Sequence, residues 1–151
     1  MDEPNVKILF RFFSDVLDEW TVETIWANVV DIENGLYKLD NIPFYASVAC
    51  DDIVFAEFDE DEQMLTYRET IEHSGNSTVQ IVLLDKTIEI NSLRERFKAM
   101  GCDSEKFHDS YFVMEIPAEL DYFTIRKELN NLESQNIISY GEPCLAKNHW
   151  Y

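Results

Sequence analysis

The spacing of apolar residues changes near residue 75, and that change restricts the fold more than any other feature of the chain. Before it, apolar side chains recur at near period two. In Val6–Phe13 (VKILFRFF) β-branched and aromatic residues are interrupted by Lys7 and Arg11. In 52–58, Ile53 and Phe55 alternate with Val54 and Ala56 ahead of Phe58, and in 64–72 Leu65, Tyr67 and Ile71 recur. Period two is the signature of strands with one buried face. Thr24–Val30 and Leu36–Leu39 flank Glu33-Asn34-Gly35, and Asn-Gly is a strong hairpin turn. The acidic run 59–62 supplies another turn. Short strands joined by tight turns predict a small antiparallel β-barrel or a strongly curved sheet.

Beyond residue 77 the pattern is mixed. Thr78–Leu84 (TVQIVLL) is almost continuously apolar, as in a strand buried on both faces. Leu93, Phe97 and Met100 then fall on one helical face, with Asn91 as the expected N-cap and Gly101 as the stop. Tyr111–Ile116 reads as a strand ended by Pro117. Asp121 is placed to cap a second helix whose buried stripe is Ile125, Leu129 and Leu132. Ile137–Tyr140 begins a last strand before a turn at Gly141-Glu142-Pro143. The fold class predicted is α+β: a β-rich subdomain over 1–76 packed on a β-α-β-α-β, ferredoxin-like layer over 77–151, the two forming one compact unit.

Charge narrows the function. The chain carries 30 acids against 12 Lys plus Arg, a formal net charge of −18. Residues 1–76 hold 18 acids against four bases (Lys7, Arg11, Lys38, Arg68), a balance of −14; residues 77–151 hold 12 acids against eight bases, a balance of −4. Such a field repels nucleic-acid phosphates and anionic membranes, so neither is an expected partner. Solubility alone would not need the asymmetry, whereas one acidic interaction face would.

The segment Asp51–Glu62 (DDIVFAEFDEDE) is the candidate. It has seven carboxylates, Asp51, Asp52, Glu57, Asp59, Glu60, Asp61 and Glu62, no base, and Phe55 and Phe58 interleaved. Asp15, Asp18 and Glu19, with Trp20 beside them, form a second cluster. Carboxylates steer a Lys- and Arg-rich surface toward the protein, and aromatic anchors supply burial. The competing reading places Phe55 and Phe58 in the core and leaves the carboxylates facing water.

Catalytic signatures are missing. His73-Ser74-Gly75-Asn76-Ser77-Thr78 sets a His beside hydroxyls, but it joins two strands, lacks the G-x-S-x-G elbow, and is built from ordinary turn residues. His73, His108, His149 and Cys50, Cys102, Cys144 show no metal-ligand spacing, and 59–62 lacks the glycine of a calcium loop. The four glycines form no phosphate-binding pattern. No catalytic residue, metal or cofactor is expected. Three scattered cysteines argue for a reducing compartment. The start Met1-Asp2-Glu3-Pro4 carries no basic n-region, and no apolar run approaches the roughly 20 residues of a membrane span, so a cytoplasmic location is expected.

Gly35-Leu36-Tyr37-Lys38-Leu39-Asp40-Asn41-Ile42-Pro43-Phe44, with Ala46 and Asp52-Ile53-Val54 after it, resembles a bacterial family known as domain of unknown function 4265. Trp26-Ala27, the 73–78 loop, Gly101-Cys102 and Cys144-Leu145 extend the resemblance over roughly residues 6 to 145. It implies no activity and carries no catalytic residue. Asp40–Phe44 reads physically as a turn that delivers Ile42 and Phe44 into the core, with Pro43 fixing the bend.

The function expected is therefore protein binding and neutralisation. Its most concrete form is an immunity protein that blocks a basic, nuclease-type bacterial toxin of the contact-dependent growth inhibition kind. The alternative is a small-ligand protein or enzyme with a site where the two halves join, near His73, Tyr67 and Cys50.

Overall fold

Residues 5–15 and 17–151 are described by the computed structural model; the acidic start Met1–Pro4 and Val16 lie outside the described residues. The chain forms two units, Met1–Ser74 and Gly75–Tyr151.

In the first unit the period-two segments become β1 (Asn5–Ser14), β2 (Glu19–Asp31), β3 (Leu36–Leu39), β4 (Ile53–Asp59) and β5 (Met64–Glu72). Neighbours pair antiparallel, and a parallel contact of β1 with β5, in register at Leu9 and Thr66, closes the barrel. Alternation decides what fills it. Ile8 and Phe10, Ile25 and Ala27, Tyr37 and Leu39, and Val54 and Ala56 form the interior, each pair two positions apart on its strand. Phe10 stacks on Tyr67 with ring centroids 4.5 Å apart. The connection 40–52 adds Ala46 and Val48 to this core. Of the two residues the turn reading sends to the core, Ile42 is buried and Phe44 only half-buried; Pro43 between them is buried too.

Gly35 closes the β2–β3 turn at φ +69°, where a residue with a side chain is strained. A Cβ there would stand 2.8 Å from the Ala56 carbonyl oxygen and 2.9 Å from the Phe55 ring. The same backbone holds the sheet, since Ala56 N–H donates to the Gly35 carbonyl at 3.0 Å. Gly35→Ala is expected to destabilise the first unit by about 2 kcal/mol, strain and clash adding. Urea unfolding measures it; an unchanged midpoint would show that the turn relaxes freely.

The second unit runs β6 (Ser77–Leu83), α1 (Ile90–Ala99), β7 (Ser104–His108), β8 (Tyr111–Ile116), α2 (Tyr122–Ser134) and β9 (Ile138–Cys144), then a short 3-10 turn at Lys147–His149. The sheet order is β7-β8-β6-β9, antiparallel throughout. The β-α-β-α-β expectation is thus one strand short. β7 (SEKFH) is an edge strand whose residues are nearly all exposed, so it carries no apolar signal. The turn expected at Gly141–Pro143 is also absent. β9 continues through it with a register shift, Cys144 facing Thr78 and Gly141 facing Gln80.

The N-cap of α1 is Glu89 and not Asn91, which lies inside the first turn. Gly101, at φ +103°, does follow the helix end. Asp121 caps α2 by accepting from Phe123 N–H. Ile125, Leu129 and Leu132 meet Leu93 and Phe97 of α1 and Val79 and Ile81 of β6 in one core. The unit is therefore α+β, with two helices and a four-stranded sheet. Among the described residues no helix is long and apolar enough to cross a membrane.

Candidate partner-binding surface

The acidic turn between β4 and β5 is built by its own carboxylates. Asp59 Oδ1 accepts from the backbone N–H groups of Asp61 (2.9 Å) and Glu62 (3.1 Å), an Asx turn that lets the chain reverse. Gln63, at φ +59°, completes it. Arg68 of β5 donates from Nε to Glu57 and from a terminal nitrogen to Asp59, both at 2.9 Å. That guanidinium, with the two turn amides, holds the Asp59 carboxyl below the usual carboxylate range. Glu57, Asp59 and Glu62 are thus engaged. Glu60 and Asp61 project from the turn, exposed and without an ion-pair partner among the described residues.

A second arginine reaches the same turn from another strand. Arg11 of β1 pairs with Glu62, tying the acidic turn to the flank of the β1–β2 hairpin. That hairpin carries Asp15, Asp18 and Glu19 where its strands reverse, all three exposed, with Asp18 at φ +54°. Phe58 at the end of β4 is exposed, so of the two aromatics in the acidic segment only Phe55 is half-buried.

Two carboxylates behave differently. Asp52, expected on the partner face with its neighbours, is buried. Its oxygens accept from Ala49 N–H (3.0 Å) and Ser74 N–H (2.8 Å), with His73 Nδ1 4.0 Å away. Asp52 is therefore a fastener between the 40–52 connection and the end of β5, while Asp51 beside it faces water at φ +70°. Glu23 was not marked by any sequence feature. It lies in the inward row of β2, opposite Phe10, and its carboxylate accepts three successive backbone N–H groups, from Phe44 (2.6 Å), Tyr45 (3.0 Å) and Ala46 (2.9 Å). Consecutive amides turned to one point form a nest for an anion, here filled by the protein's own side chain.

In the 73–78 string, His73 and Ser77 stand in different surroundings. His73 is largely exposed. Ser77 is buried and meets His149 Nδ1 at 2.6 Å, while Ala146 N–H donates to the Ser77 hydroxyl oxygen at 2.8 Å. His149 Nε2 lies 3.0 Å from the Pro117 carbonyl oxygen, to which it donates, so its Nδ1 accepts the Ser77 hydroxyl. Each atom of this Ser–His pair is satisfied by the protein, and neither residue reaches solvent. It fastens the 3-10 turn to β6 and the end of β8.

The family model described as Domain of unknown function (DUF4265) matches residues 23–140. No curated protein matches the chain. Among solved structures, the crystal structure of a hypothetical protein from Neisseria gonorrhoeae is similar at a TM-score of 0.79 and 26% sequence identity, over 97% of this chain and 96% of that one.

Proposed function

The chain belongs to the DUF4265 family, and from that premise we propose that it acts by binding a basic protein and neutralising it, not by catalysis. The carrying observation is the set of exposed carboxylates without an ion-pair partner among the described residues, Glu60 and Asp61 on one hairpin and Asp15, Asp18 and Glu19 on the other, in a half of the chain that is −14 in balance. Asp51, Glu57, Asp59 and Glu62 lie in the same field. Arg11 and Arg68 pre-order the acidic turn, so less side-chain freedom is lost when a cationic surface meets it.

The most concrete partner is a secreted bacterial toxin domain that degrades nucleic acid. Such an enzyme needs a cationic groove for phosphates, and an ordered row of carboxylates fills that groove with the same charge. On this reading the protein is the cytoplasmic immunity partner in contact-dependent growth inhibition.

Affinity capture tests it. The tagged chain is mixed with the product of the neighbouring gene at about 50 mM and about 500 mM salt, because exposed charge pairs are strongly screened across that range. A stoichiometric complex that weakens as salt rises is the expected result. Absence of a complex at both salts would overturn the reading.

A further inference from the structure

Resting on that reading, we propose that the outer row of the β1–β2 hairpin, Phe13, Trp20, Val22 and Trp26, is the apolar anchor of the interface. Its occupant is an aliphatic or aromatic pocket on the partner, bordered at one edge by Lys and Arg side chains. The register places these residues together. Phe13 faces Trp20, Arg11 faces Val22, buried Leu9 faces exposed Thr24, and Lys7 faces Trp26, so alternate positions on both strands share the face turned away from the barrel interior. A strand row facing water is ordinarily polar. Here Phe13 is 47%, Trp20 71%, Val22 50% and Trp26 45% exposed. Single exposed apolar residues need no explanation, but a row about 20 Å long on two paired strands is a patch.

The row is also held ready. Phe13 and Trp20 meet edge to face, centroids 6.1 Å apart at 80°, and Lys7 Nζ sits 4.9 Å from the Trp26 ring. Aromatic rings fixed by each other lose little freedom on binding, and Trp and Phe are suited to anchor an interface centre. Charge selects the occupant. Asp15, Asp18 and Glu19 border the Phe13–Trp20 end of the row; Arg11 within it is paired with Glu62, and Lys7 lies against Trp26 at the other end. An apolar row with an acidic border at its Phe13–Trp20 end matches an apolar pocket with Lys and Arg at the corresponding edge. A second copy of this chain would set one −14 half against another, which like-charge repulsion opposes.

Two synthetic peptides of equal positive charge are the probes, one alternating Lys with Leu and the other Lys with Ser. At low salt the wild-type chain is expected to bind both, the Lys/Leu peptide about tenfold tighter, as burial of one or two apolar side chains allows. F13S/W20S should bind the two equally, at the Lys/Ser level. I32S, which removes an exposed apolar residue outside the row, should keep the preference. W26S repeats the test farther along the row should the double variant fail to fold. Retention of the tenfold preference in F13S/W20S or W26S would overturn the anchor while leaving the basic-partner reading intact. A wild-type dimer in sedimentation that F13S/W20S converts to monomer would overturn it too, by showing a second copy on the row. Failure of wild type to bind either peptide would bring down the basic-partner reading, and the anchor with it.

Discussion

Glu60→Lys combined with Asp61→Lys is expected to weaken capture of a basic partner by roughly a hundredfold at low salt. Both side chains project from the acidic turn, and neither takes part in the Asx geometry, which uses the Asp59 carboxylate and the backbone. The substitution therefore replaces two attractive charges with two repulsive ones while leaving the turn as it was. Loss should lie mainly in the association rate, because long-range steering is the first thing such charges supply. The salt dependence of affinity should flatten at the same time. Stopped-flow association at several salt concentrations measures both. If the variant binds at the wild-type rate with the wild-type salt slope, the acidic turn lies outside the interface.

Glu23→Ala should destabilise the first unit by about 3 kcal/mol. The carboxylate accepts from three amides of one loop, and its removal takes that acceptor from all three at a half-buried site. The loop also delivers Ala46 and Val48 to the barrel core, so loosened amides let apolar surface return to water. Glu23→Gln should fall between, since one carbonyl oxygen cannot serve three donors as two carboxylate oxygens do. Urea unfolding gives the energy, and hydrogen exchange at residues 44–46 should accelerate in step. Unchanged protection of these amides in Glu23→Ala would mean that the loop is held by something else.

What the sequence shows and what it hides follow from the range of the interactions. Local signals are legible: Asn34-Gly35 at the β2–β3 turn, Pro117 ending β8, Asp121 capping α2 and Gly101 closing α1 each act within a few residues. β7 was hidden because an edge strand exposed on both faces has no reason to alternate. The Gly141–Pro143 stretch looked like a turn because its residues are turn formers, but pairing with β6 absorbs them in a bulge. In the binding surface, composition revealed the carboxylates and not their directions. Asp51 and Asp52 are adjacent, and only the tertiary contact with Ser74 N–H decides that Asp52 goes inward. Glu23 was invisible because its partners lie 21 to 23 residues away. The outer aromatic row needed the β1–β2 register, which pairs Phe13 with Trp20 and places Arg11 with Val22.

The way each unit closes also sets a timetable for synthesis. The barrel is shut by β1 meeting β5, so it can close once residues up to about 72 have left the ribosome, while the second unit is still incomplete. In the second unit the first strand, β6, lies between β8 and β9, and β9 comes near the end of the described chain. Until β9 arrives, one edge of β6 (STVQIVL) offers unpaired backbone on a strongly apolar strand. The unit with the acidic surface is thus ready first, and the nascent chain is most open to wrong pairings late in its synthesis. Truncation just before residue 138 should leave a folded barrel carrying an aggregation-prone tail.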